Sequence, residues 1–153
     1  MSTITESVDV DVPVRAVYDQ WTQFEDFPHF MEGVEEIRQL DDTSTHWITK
    51  IAGVSREFDA VITEQLPDER VAWKSVTGPT HAGVVTFHRL DDTTTRVTAQ
   101  MEIDPEGFAE KAADKTGAIK SRVKGDMQRF KTFIEKRGAP TGSWRGQVDR
   151  PGP

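Results

Sequence analysis

The chain has 153 residues, no cysteine and a formal net charge of −7. That length suits one domain with room for a substantial core, and the missing cysteines exclude disulfides, thiolate metal sites and cysteine nucleophiles. The acidic balance argues against a general nucleic-acid binder, which needs Lys and Arg clustered on one face.

The first residues, Met1 to Asp11, carry neither a basic n-region nor an apolar h-region. No apolar run approaches the about 18–20 residues that span a bilayer, so a cytoplasmic protein without a transmembrane segment is expected. Charge is unevenly spread. Residues 1–104 hold 8 basic and 20 acidic side chains, a net of −12, whereas residues 105–137 hold 9 and 5, a net of +4. The C-terminal helix is therefore basic. It is read as a solvated face that complements an acidic sheet; contact with an anionic membrane or an acidic partner is the weaker alternative, because large exposed apolar residues are missing from that face.

Ile4, Val8, Val10 and Val12 alternate with polar residues as in a half-buried strand ending at Pro13. Val14, Val17, Tyr18 and Trp21 then recur at helical spacing behind that proline. From Trp21 to Gly33 an aromatic residue stands at about every third position, with Pro28 inside the run. This predicts a second short helix, broken by Pro28, that lines or closes an apolar space. Six β-rich runs follow: Val34–Leu40, Thr45–Ala52, Arg56–Leu66, Val71–Thr77, Ala82–Leu90 and Thr94–Ile103. Turn residues between them predict an antiparallel meander. Two turns, Leu40-Asp41-Asp42-Thr43 and Leu90-Asp91-Asp92-Thr93, match each other, but Asp in tight turns bonds its own backbone, and adjacent carboxylates without further oxygen ligands do not make a calcium site.

Asp104 as N-cap and Pro105 at the first helical position open the last element. Phe108, Ala112, Thr116, Ile119, Val123, Met127, Phe130 and Ile134 form its apolar stripe, with a kink expected near Gly117 and a stop at Gly138. A mobile tail, 138–153, is expected after a domain spanning 1–137; Trp144 is its one large apolar residue.

Strand, two short helices, six strands and a long helix describe an α+β domain in which a curved seven-stranded antiparallel sheet wraps around one C-terminal helix. One helix rarely fills so wide a concave face, so a cavity is expected between them. The order of elements, the stretch Val12-Pro13-Val14-Arg15-Ala16-Val17-Tyr18-Asp19-Gln20-Trp21, the segment Phe27-Pro28-His29-Phe30-Met31 and the closing Arg129-Phe130-Lys131-Thr132-Phe133-Ile134-Glu135 together resemble the polyketide cyclase/dehydrase branch of the START-like superfamily. The resemblance covers about residues 3–137 and implies a helix-grip fold with an apolar cavity under the last helix.

Strand parity places Trp47, Thr49 and Ile51, then Arg56, Phe58, Ala60, Ile62 and Glu64, then Trp73 and Ser75, then His81, Gly83, Val85 and Phe87, and finally Val97, Ala99, Met101 and Ile103 on the inward face. Phe27, Phe30 and Met31 are expected at the open end. The expected ligand contacts are these three with Trp47, Thr49, Phe58, Ile62, Trp73, Ser75, Val85, Phe87, Met101, Ile119, Val123 and Met127. The candidate catalytic groups are His29, at the mouth, and Glu64, for which a strand-end ion pair with Arg70 is the plainer reading. His81, just past Gly78-Pro79, could act as a base near neutral pH, but an exposed strand-start histidine is the commoner case, and four histidines on separate elements give no metal-ligand spacing. Neither a metal nor a cofactor is expected.

An aromatic polyketide cyclase needs a positioned base and donors for an enolate, and the inward polar residues here are few. Binding of a small hydrophobic or amphipathic molecule (lipid, isoprenoid or polyketide-like aromatic) therefore ranks first. Cyclase or dehydrase chemistry in the same cavity comes second, and a protein-interaction module with a filled core third. The oligomer is expected to be a monomer or homodimer.

Overall fold

A computed structural model describes residues 2–51, 54–104 and 115–148. Strands β1 (Ser2–Val10), β2 (Val34–Gln39), β3 (Ser44–Ile51), β4 (Val54–Leu66), β5 (Arg70–Ser75), β6 (His81–Asp91) and β7 (Thr94–Ile103) form one antiparallel sheet in the order β1-β7-β6-β5-β4-β3-β2. Helix α1 (Val14–Trp21) and a 3-10 helix (Phe24–His29) connect β1 to β2, and helix α2 (Lys115–Arg137) closes the chain's main body. Phe108 and Ala112 lie outside the described residues, as do Pro105, the first helical position expected for α2, and the side chain of Thr116. Asp104, the expected N-cap, donates its amide to the Thr80 carbonyl.

Local chemistry accounts for each boundary. The Pro13 carbonyl accepts the amides of Ala16 and Val17, which starts α1 on the proline's fixed φ. Pro28 sits inside the 3-10 helix instead of breaking it, and that helix ends where Phe30 and Met31 both donate to the Phe27 carbonyl. In the two matching turns Asp41 accepts the Thr43 amide and Asp91 that of Thr93, which holds both carboxyls below the usual range. Each aspartate is thus engaged with its own loop.

Antiparallel pairing aligns the inward row Ile62, Trp73, Gly83, Met101 and Ile4 across five neighbouring strands. Its hinge is Gly83. A Cβ there would stand 2.5 Å from Trp73 Cζ2 and 2.9 Å from Met101 Sδ, so only glycine lets the indole lie flat on β6. From α2, Ile119, Val123, Met127, Phe130 and Ile134 join the same core, all at most 5% exposed.

Two expectations are corrected. A bulge between Ile62 and Glu64 pairs Ile62 with Trp73 but Glu64 with Ala72, so strand parity reverses within β4. Glu64 therefore leaves the inward face and Gln65, 1% exposed, takes it. Residues 138–148 are also not a loose tail. Thr141 exchanges bonds with the Gln20 amide and donates to Asp26, the Trp144 amide donates to Thr22 Oγ1, and Val148 pairs with Gln65 through two backbone bonds. Arg145 bridges Asp19 and Asp68 and lies 5.5 Å over the Tyr18 ring. Polar side chains, which apolar periodicity does not register, hold this segment down.

Candidate functional site

The aromatic segment after α1 does close the concave side of the sheet, by filling it. Trp21, Phe24, Phe27 and Phe30 interlock with one another and with Trp47, Trp73 and Phe130 at ring-centroid distances of 4.6–6.0 Å. Trp47 stacks on Phe58 and on Trp73. Each such side chain, fully buried, contributes several kcal/mol relative to a truncated one, about 3–5 by large-to-small substitution. Phe27, Phe30, Trp47, Phe58, Ile62, Trp73, Val85, Phe87 and Met127 are thus placed in packed core.

Among the described residues, a mostly enclosed space of about 30 Å³ lies between the sheet and α2, at the end where β2 and β6 begin. That is room for about two water molecules. Of the expected contacts it brings together Met31, Thr49, Met101, Ile119 and Val123; it adds Glu32, Gly33, Val34, His81, Ile103, Arg122 and Asp126. Ser75 does not reach it as a lining residue, but its hydroxyl accepts the His81 amide at 3.0 Å and so fixes the start of β6.

His81 is the main correction. It is 6% exposed, wedged against Trp47 at 5.0 Å and stacked on Phe58 and Trp73. The Trp73 indole donates to His81 Nδ1 at 3.2 Å. Burial among aromatic rings pushes its pKa down to about 4, so the imidazole is neutral near pH 7. Because the indole nitrogen is only a donor, Nδ1 is the bare nitrogen and Nε2 carries the proton. His29, by contrast, has a 62% exposed side chain, stacks on Phe133 from outside and lies 3.7 Å from Asp26. Glu64 pairs with Arg70 at 3.3 Å on the outer face, as the plainer reading of the sequence anticipated.

Sequence reasoning passed over Asp126, because a charged residue on a basic helix reads as solvated. It is 9% exposed, and burial pushes its pKa up to about 6, overcoming the opposing pull of Arg129 and the Glu32 amide. Asp126 Oδ1 accepts that amide at 3.0 Å and a bond from Arg129. Arg122 donates to the Glu32 carbonyl at 3.2 Å, and Arg129 to the Phe30 carbonyl at 3.2 Å. Spacing does contain a late clue: Asp126 follows Ile119 and Val123 by seven and three residues, on the buried stripe.

The chemistry of this corner is that of an apolar cavity with a neutral imidazole on the sheet side and a carboxyl poised near neutral pH on the helix side. Among the described residues no group of three His, Asp or Glu is placed to hold a metal ion. No described helix is long and apolar enough to cross a membrane.

A model of the family described as "Polyketide cyclase / dehydrase and lipid transport" matches residues 10–132. An uncharacterised 17.2 kDa protein of Streptomyces lincolnensis is 59% identical over 149 residues, covering 97% of this chain and 99% of that protein. Among solved structures, the Zhui aromatase/cyclase of a Streptomyces species superposes with a TM-score of 0.71 at 14% identity, over 94% of this chain and 99% of that one. A START superfamily protein from Mycobacterium smegmatis gives 0.69 at 10% identity, over 88% and 95%. At such identities the likeness concerns the fold alone, which is START-like here as there. With its family model matched over most of its length, the chain belongs to the polyketide cyclase/dehydrase and lipid-transport family.

Proposed function

We propose that the protein binds a small hydrophobic or amphipathic molecule between the sheet and α2, at the corner lined by Met31, Thr49, His81, Met101, Val123 and Asp126. The observation that carries this reading is the contrast within the core. Among the described residues, aromatic side chains fill much of the concave face, while two methionines and four charged or titratable groups, Glu32, His81, Arg122 and Asp126, line the remaining space. At about 30 Å³ the space is too small for such a molecule as it stands. A ligand with ten or more heavy atoms needs Met31 and Met101 to repack, which thioether side chains do readily.

A second reading, aromatase or cyclase chemistry in the same place, is favoured by the pairing of His81 with Asp126. A carboxyl with a pKa of about 6 is suited to take a proton from a carbon acid near neutral pH, and a neutral imidazole to donate a hydrogen bond to the developing enolate. The family's Zhui relative is an aromatase/cyclase by name.

The test is native mass spectrometry of the protein purified gently from its own host, followed by solvent extraction. The expected result is a stoichiometric small molecule that is lost when Met101→Trp fills the space. A clean apo mass, together with no shift when lipid and polyketide-like aromatic extracts are added back, refutes the binding reading.

A further inference from the structure

We propose that Arg122 and Arg129 form a carboxylate site at the rim of this cavity, that Glu32 is its built-in occupant, and that the ligand is an amphipathic molecule whose own carboxylate takes the place of Glu32. This rests on the ligand-cavity reading above and adds the class of ligand and the group that gates it.

Glu32 makes two sets of contacts of different kinds. Its main chain is anchored inward: the amide donates to Asp126 Oδ1 and the carbonyl accepts from Arg122. Its side chain turns outward, 65% exposed, yet meets both guanidiniums, with Oε2 3.2 Å from Arg129 Nη1 and Oε1 3.5 Å from Arg122 Nη1. Two arginines thus converge on one carboxylate that reaches them from the solvent side. Exposed pairs of this sort contribute little, so an incoming carboxylate displaces the side chain at small cost while the backbone anchors hold the rim in place.

The arginines are held ready by other contacts. Arg129 is fixed by the Phe30 carbonyl and by Asp126, and it folds back over Gly125, where a Cβ would stand 3.0 Å from its nearest guanidinium nitrogen. Two open surface grooves meet at Gly125 and Arg129, one running past His29 and Phe133, the other past Ser121 and Arg122. They offer a route to the rim from solvent. The cavity shares Glu32 and Arg122 with the second of these grooves, and Asp126 lines it beside them. A molecule with its head on the arginines has its apolar part directed between Met31 and Val123. The exchange also conserves charge: two guanidiniums face Asp126 and one further carboxylate before and after.

Matched probes test this: 2-naphthoate and the neutral 2-naphthol, titrated calorimetrically at about pH 7 into the wild type, Glu32→Gln and Arg122→Gln, with melting temperatures recorded for each. The wild type is expected to prefer the carboxylate. Glu32→Gln, which keeps both backbone anchors, strengthens naphthoate about tenfold and leaves naphthol unchanged, and Arg122→Gln abolishes the preference. Binding of both probes that neither substitution alters selectively overturns the carboxylate site and leaves the cavity standing. Binding of neither probe to any folded variant overturns the cavity reading and this site with it.

Discussion

Replacing His81 or Asp126 should tilt the pH dependence of stability in opposite directions. His81 has its pKa lowered from 6.5 to about 4 in the fold, so between those values the unfolded chain holds more protons and stability rises with pH. Its contribution is fully present above 6.5 and lost as pH falls through 4, and 2.5 units amount to about 3 kcal/mol. Asp126 has its pKa raised from 3.8 to about 6. The native state then holds more protons, and its contribution, again about 3 kcal/mol, is present below 3.8 and lost as pH rises through 6. The two nearly cancel in the wild type. Removing one exposes the other. Relative to wild type, Asp126→Asn should gain about 3 kcal/mol as pH climbs from about 4 to 6.5, and His81→Asn, whose amide oxygen can still accept the Trp73 indole, should lose about as much. Urea unfolding followed by tryptophan fluorescence at several pH values measures both. Taking each variant minus wild type cancels the other titrating groups, among them His46, raised mainly by its bond to Asp59, and Asp9, lowered mainly by its bond to Arg96. Because both residues line one cavity, the double variant reports their coupling. A variant-minus-wild-type difference that is flat in pH refutes the burial assigned to that side chain.

Gly83→Ala should cost about 1–3 kcal/mol by overpacking, since the indole it displaces is held between Phe24, Phe27, Trp47 and His81; a near-ultraviolet dichroism spectrum and melting temperature equal to wild type would contradict the packing described. Arg145→Ala should cost about 2–4 kcal/mol, because Asp19, 6% exposed, loses its charged partner and Tyr18 loses its cover. Arg145→Lys should recover only part of this, since one ammonium cannot bridge Asp19 and Asp68 as a fork does. Equal melting temperatures for all three proteins would show that residues 139–148 add nothing to the fold.

Much of the architecture was legible in the sequence, because it is written in local periodicity. Alternation in β3, β6 and β7 identifies the faces that carry Trp47, Phe87 and Met101, and the three-and-four spacing of Ile119, Val123, Met127, Phe130 and Ile134 identifies the buried stripe of α2. Those patterns depend only on backbone geometry, which is the same wherever an element lies. The aromatic run from Trp21 to Phe30 was legible as a closure for the same reason.

What tertiary structure alone decided are the places where distant residues choose between equal local possibilities. Parity carries no sign of the bulge after Ile62, so only pairing with β5 shows Glu64 facing out. A strand-start histidine is as often wet as buried. Three rings from β3, β4 and β5 bury His81 and leave it neutral. Asp126 is buried by the Glu32 segment, 94 positions earlier. Arg145 is ordered by Asp19 and Asp68, 126 and 77 positions away. Hydrophobic patterning specifies which face of an element goes inside, but a buried charge is placed by the particular partners that compensate its desolvation, and those come together only in the folded chain.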